Sequence, residues 1–146
     1  MKTGLRTKQK GAAAIEFALV FVVFFAVFYG VVSYSLPLLL MQSFHHSTAE
    51  AVRRSVALDP TVSPSTYTAD VQARALTVLG EQLSWVPTGL KGSVQKTAVY
   101  SAGVLTVTVS LPSSALSTVL PVLVLPGNIR VPNLPTTLTA QSSLQF

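Results

Sequence analysis

The sequence contains no cysteine, only five acidic residues and a single tryptophan in 146 positions. Without thiols there is no disulfide framework, zinc-thiolate site, cysteine nucleophile or lipoprotein attachment point. Charged residues make up only 10% of the chain, against roughly 25% in ordinary soluble domains. With 49% hydrophobic residues and a positive mean hydropathy, that shortage argues against a free cytosolic enzyme. It also excludes intrinsic disorder, which requires low hydrophobicity and high charge. The length allows one modest domain and one membrane segment.

The charge that is present is unevenly placed. Lys2, Arg6, Lys8 and Lys10 fall in the first ten residues with no acid among them. Beyond Gly11, six basic residues face five acids, a balance of +1. Nucleic-acid binding calls for a basic stripe on a folded face with stacking residues between the charges. Here the basic cluster abuts an apolar run instead, so no nucleic-acid partner is expected and the charges read as a topology signal. The run extends from Phe17 to Met41, and no charged residue occurs from Phe17 through Phe44. About twenty apolar residues at a 1.5 Å rise cross a hydrocarbon core of about 30 Å, which Phe17–Leu36 alone satisfies. The basic flank keeps the N-terminus cytoplasmic and sends the C-terminal part across. Tyr29 and Tyr34 are candidates for the outer interface. A secretory signal would have a shorter apolar region closed by a small-x-small cleavage site, and neither condition is met.

Within the run, Pro37 removes a backbone bond and crowds the carbonyl of Ser33, which predicts a helix kink. Ala26 and Gly30 form a small-xxx-small pair that permits close helix packing, a spacing common in apolar helices. Glu16 stands at the mouth of the run, within Gly11-Ala-Ala-Ala-Ile-Glu16-Phe17. An ionisable group there either reaches back to water at the boundary or is paired and functional.

A basic leader, then glycine, four small or apolar residues, and Glu-Phe at the start of an apolar helix resembles the prepilin processing site. The Gly-x-x-x-x-Glu-Phe form is similar to the TadE-like minor pilins and pseudopilins of tight-adherence (Tad) type IV pili. The resemblance covers roughly residues 5–45. It implies that a prepilin peptidase cuts between Gly11 and Ala12. Glu16 then becomes the fifth residue of the mature chain, one helical turn from the new amine. In pilins that glutamate is thought to pair with the terminal amine of a neighbouring subunit, and a carboxylate among apolar helices needs such a cationic partner. The resemblance therefore implies Glu16 and Phe17 in subunit pairing and adhesion as the setting. The implied partners are the peptidase, other pilin subunits, the Tad assembly machinery and the bacterial inner membrane. A minor pseudopilin of a type II secretion system and an uncleaved single-pass anchor with a small binding domain are the alternatives.

The expected organisation is a leader over 1–11, an apolar transmembrane and assembly helix over 12–41, and an extracytoplasmic α+β head over 42–146. The helical pattern continues through Gln42–Leu58. Phe44, Thr48, Ala51, Val52, Ser55 and Val56 lie on one face, Glu50 and Arg54 form an i,i+4 pair, and Asp59-Pro60 with Ser63-Pro64 ends the helix. A second helix is predicted from about Thr68 to Ser84, with Val71, Ala75, Leu76, Leu79 and Leu83 on its apolar face and Asp70 in its first turn. Trp85 and Pro87 close it, and Gly89 and Gly92 mark a loop. Val94–Tyr100 and Val104–Leu111 alternate with period two and predict a hairpin joined by Ser101-Ala102-Gly103. In the second of these strands Leu105, Val107, Val109 and Leu111 share a face. A last strand is predicted around Leu138–Phe146, with Ser142 interrupting its apolar face. Val119–Pro126 is too short and too proline-rich to span a membrane and reads as a buried edge segment. From Thr97 to Phe146 the only charged residue is Arg130, a composition suited to packing against like subunits.

No catalytic constellation emerges, and the chain is expected to be an enzyme's substrate, not an enzyme, with no cofactor. His45, His46 and Glu50 lack a third metal ligand at a recognisable spacing. Ser93 and Lys96 match a Ser-x-x-Lys string, but they fall in a stretch read as strand, where residues three apart point to opposite faces.

Overall fold

A computed structural model describes residues 9–61, 64–125 and 127–146. The basic residues Lys2, Arg6 and Lys8, together with Ser63 and Pro126, lie outside the described residues. The chain is α+β, as its two hydropathy periods predict. Helix α1 (Gln9–Ser55) is followed by α2 (Tyr67–Gln82) and the short α3 (Thr88–Lys91). Then come β1 (Gln95–Ser101), β2 (Val104–Pro112), the short α4 (Ser113–Leu116), β3 (Leu123–Leu125), β4 (Ile129–Val131) and β5 (Thr137–Gln145).

The head has two layers. β1, β2 and β5 form an antiparallel sheet with β2 in the centre, and α1 and α2 cover one face of it. Leu105, Val107, Val109 and Leu111 on β2 are all fully buried, so the period-two pattern marks the inward face correctly. Phe44, Thr48, Ala51, Val52 and Ser55 of α1 close over them at the anticipated 3–4 spacing. Ser142, the polar interruption in β5, has a partner: its hydroxyl lies 3.0 Å from that of Thr48. A hydroxyl buried on one element thus explains the hydroxyl on the other.

Several element ends differ from expectation. α1 stops at Ser55, not Leu58, because Asp59 precedes proline and disfavours helix, and its carboxylate accepts bonds from the Thr61 amide at 2.8 Å and hydroxyl at 2.7 Å. Those bonds also hold the Asp59 carboxyl below its ordinary value. On α2, Val78 is buried and Leu76 is 40% exposed, since the packed face is narrower than the apolar one. Gly89 lies inside α3, where Pro87 starts a single helical turn. The β1–β2 turn has the expected residues, with Ala102 at φ 50° and Gly103 at φ 76°, the left-handed pair of a two-residue hairpin.

The largest departure is Val119–Pro126. Instead of a buried edge segment it contributes β3 to a separate two-stranded ribbon with β4, and Val119, Val122, Leu123 and Val124 are exposed. The ribbon joins no strand of the main sheet, and the helix-covered face of that sheet is already occupied.

Candidate functional site

α1 is a continuous 47-residue helix. It has no cap that would break it within the apolar run, and it continues through Pro37. Pro37 is buried, and the side chains of Ser33 and Ser35 donate back to the carbonyls of Gly30 (3.0 Å) and Val32 (2.6 Å) in the preceding turn. From Gly11 to Phe28 every residue is exposed, eighteen in succession. Head contact begins at Tyr29 and Gly30, and Ser33, Pro37, Leu40 and Phe44 then form the buried stripe. Packing against the head therefore starts well inside the apolar run and not at its end near Met41.

The candidate processing residues lie at the far end from the head. Gly11 and Ala12 sit near the start of the described part of α1. Space around Gly11 is open. Glycine lowers the cost of local unwinding at that point of the helix. Glu16 and Phe17 follow on the same exposed helix, with no head residue near them.

The exposed half of α1 has two sides. Phe17, Phe21, Phe25 and Tyr29 stack at i,i+4 with ring centroids 6.0, 6.3 and 6.4 Å apart, and Phe24 stacks on Phe28 at 6.1 Å. At about 100° per residue, Ala26 and Gly30 lie opposite Phe17, Phe24 and Phe28. They continue instead into the Ser33–Pro37–Leu40 stripe, so the small pair is on the head side and Gly30 is already half-covered. The aromatic ladder is visible in the sequence as four aromatics spaced by four, Phe17, Phe21, Phe25 and Tyr29.

Two tyrosines join the ribbon to the helix. The Tyr29 hydroxyl donates to the Pro121 carbonyl, and the Tyr34 hydroxyl accepts from the Asn133 amide at 2.8 Å. These contacts span more than ninety residues of sequence, and no local pattern announces them. Between α4 and the ribbon lies an open hollow of about 260 Å³ whose lining includes Ser113, Leu120, Arg130 and Asn133.

The candidate catalytic strings are not assembled. Both Glu50 carboxylate oxygens are occupied: Arg53 donates from Nε and Nη2, each at 2.9 Å, and Arg54 donates from Nε at 2.7 Å. These bonds hold the Glu50 carboxyl down to about 2. The pairing with Arg53 adds to the anticipated Arg54 contact, and Arg54 also reaches Glu81 of α2 at 3.9 Å. His45 and His46 point to solvent beside this cluster. Among the described residues no three His, Asp or Glu side chains group to hold a metal. Ser93 lies in the turn after α3 and Lys96 on β1, so they do not share a helical turn.

Residues 11–53 match the family model described as TadE-like protein. The match begins on Gly11, covers both halves of α1 and ends before the sheet. This segment, with Gly11, Glu16-Phe17 and the apolar helix, is thus similar to TadE-like proteins. No curated protein and no solved structure matches the chain. By length and composition α1 is also able to cross a membrane, as a single-pass anchor does.

Proposed function

We propose that the chain is a minor pilin or pseudopilin of a Tad-type adhesive pilus. It is made as an inner-membrane precursor, trimmed by a prepilin peptidase between Gly11 and Ala12, and assembled with other subunits through the exposed half of α1. It serves as a substrate and building block, without catalysis or cofactor of its own. The observation that carries this reading is the run of eighteen consecutive exposed, mostly apolar residues, Gly11–Phe28, whose single ionisable side chain is Glu16. Such a surface requires lipid or other apolar helices around it.

The chemistry of the trimmed end supports the same reading. Cleavage would put an ammonium on Ala12 at the positive end of the helix dipole, where charge of that sign is unfavourable. Glu16 supplies the compensating carboxylate from one turn away, either to its own amine or to that of a neighbour. Within apolar surroundings the pair is strongly held once made, and an unmatched partner is costly, so it sets the register between subunits. The TadE-like match supports a Tad pilus over a secretion pseudopilus.

The test is the mass of the mature chain with and without the peptidase. A start at Ala12 that depends on the peptidase is expected; retention of Met1 in its presence overturns the proposal and leaves an uncleaved anchor.

A further inference from the structure

The β3–β4 ribbon has no counterpart among the head's packed elements. Val124 is 61% and Ile129 59% exposed, and Val119, Val122 and Leu123 are exposed beside them. A patch of this kind on a small head marks an interaction surface. Its position along α1 says what covers it. Tyr29 and Tyr34 bond to Pro121 and Asn133, the segments that lead into β3 and out of β4. The ribbon is therefore fastened to the helix immediately past Phe28, where the unbroken run of exposed residues ends.

We infer that the ribbon is a membrane-interface element, seated among the headgroups of the outer leaflet while the chain is in the bilayer. This rests on the reading of α1 as a membrane anchor. Gly11–Phe28 measures about 27 Å at 1.5 Å per residue, close to a hydrocarbon core of about 30 Å. Placing that stretch in the bilayer puts the ribbon at the headgroups. Placing Phe17–Leu36 there would submerge the ribbon in hydrocarbon. Among the described residues β3 and β4 pair only with each other, so each has an outer edge free of strand partners. Open edges are not tolerated in hydrocarbon, which excludes the deeper placement. At the interface, water and headgroups satisfy those edges, while Val124 on one face of the ribbon and Leu123 and Ile129 on the other border the acyl region.

The polar residues agree. Tyr29 and Tyr34 are the side chains favoured at that depth. Arg130 is directly opposite Val124 in the ribbon register, so one face carries an apolar side chain for the acyl boundary and a cation for lipid phosphate. No acid accompanies it anywhere from Thr97 to Phe146. The ribbon thus fixes the outer limit of the span near Tyr29 and draws Glu16 about 7 Å inward from Gly11, where only a paired carboxylate is comfortable.

The absence of native cysteine makes the test direct. Val124→Cys, Ile129→Cys, Val23→Cys and Thr97→Cys, each in the full chain, are labelled with an environment-sensitive fluorophore in phosphatidylethanolamine–phosphatidylglycerol vesicles. Quenching by shallow and by deep spin-labelled lipids is then compared. The expected result is deep quenching at Val23, none at Thr97, and shallow quenching at Val124 and Ile129 several-fold above Thr97. Adding Arg130→Glu should at least halve the ribbon signal and leave Val23 unchanged. If Val23 is quenched while Val124 and Ile129 behave like Thr97, the ribbon does not touch lipid and the inference fails with the anchor intact. Deep quenching of the ribbon overturns its interfacial placement. Shielding of Val124 and Ile129 only after pilin subunits are added assigns the patch to a protein neighbour and overturns the lipid reading. An unquenched Val23 removes the anchor itself, and the inference with it.

Discussion

The two halves of α1 are one uninterrupted helix with opposite relations to their surroundings. Gly11–Phe28 exposes every side chain, whereas Tyr29–Ser55 buries one stripe against a sheet and a second helix. Both halves are apolar where they meet something. The first half needs partners that the folded monomer does not supply; the second has them in β2, β5 and α2. The packed length of the element serves the stability of the head, and the proposal gives assembly to the exposed length.

Substitutions that separate the halves test this division most strongly. A bulky residue at Gly11 is expected to abolish the mass shift of about eleven residues on processing while the head's melting temperature is unchanged. Glu16→Ala is expected to leave membrane insertion intact and impair piliation, and normal pili in that variant would break the assignment of the exposed half to assembly. In the packed half, Phe44→Ala removes a fully buried ring and should destabilise the head by about 3–5 kcal/mol. Phe24→Ala in the exposed half should change the same detergent-solution melt by no more than about 0.5 kcal/mol. Equal effects at the two positions would contradict the comparison. A finer cut is Thr48→Val, which removes the partner of Ser142 and should cost about 1 kcal/mol in chemical denaturation.

Two smaller effects sharpen the picture away from the helix junction. Ala102 holds φ 50° in the β1–β2 turn, so Ala102→Gly should raise stability by about 1 kcal/mol. The Glu50 carboxyl is held down to about 2 by Arg53 and Arg54, from an ordinary value near 4.5. A lowered folded value means the contribution is complete above about 4.5 and is lost as pH falls toward 2. Glu50→Gln should flatten that part of a stability–pH curve, while the rest of the acid limb remains.

What was legible in the sequence was whatever depends on neighbours along the chain. The alternation of Leu105, Val107, Val109 and Leu111 marked both strand and inward face, because side chains on a strand alternate whatever lies beyond. Ala102-Gly103 announced a tight turn, for the same local reason. Where the outcome depended on the width of a packed face, as at Leu76 and Val78, pattern alone misplaced a residue. Val119–Pro126 was misread for a related reason: an apolar, proline-broken segment is described equally well as buried or as exposed until the available layers are known.

By itself, then, the sequence determined a long apolar helix behind a basic flank, a glutamate one turn from a glycine–alanine bond, and the strands of an α+β head. Only the tertiary structure decided where the helix leaves one environment for the other. Hydropathy from Phe17 to Met41 is continuous, and an apolar side chain is equally suited to lipid and to a protein core. The boundary at Tyr29 is created by two hydroxyl contacts from residues more than ninety positions away.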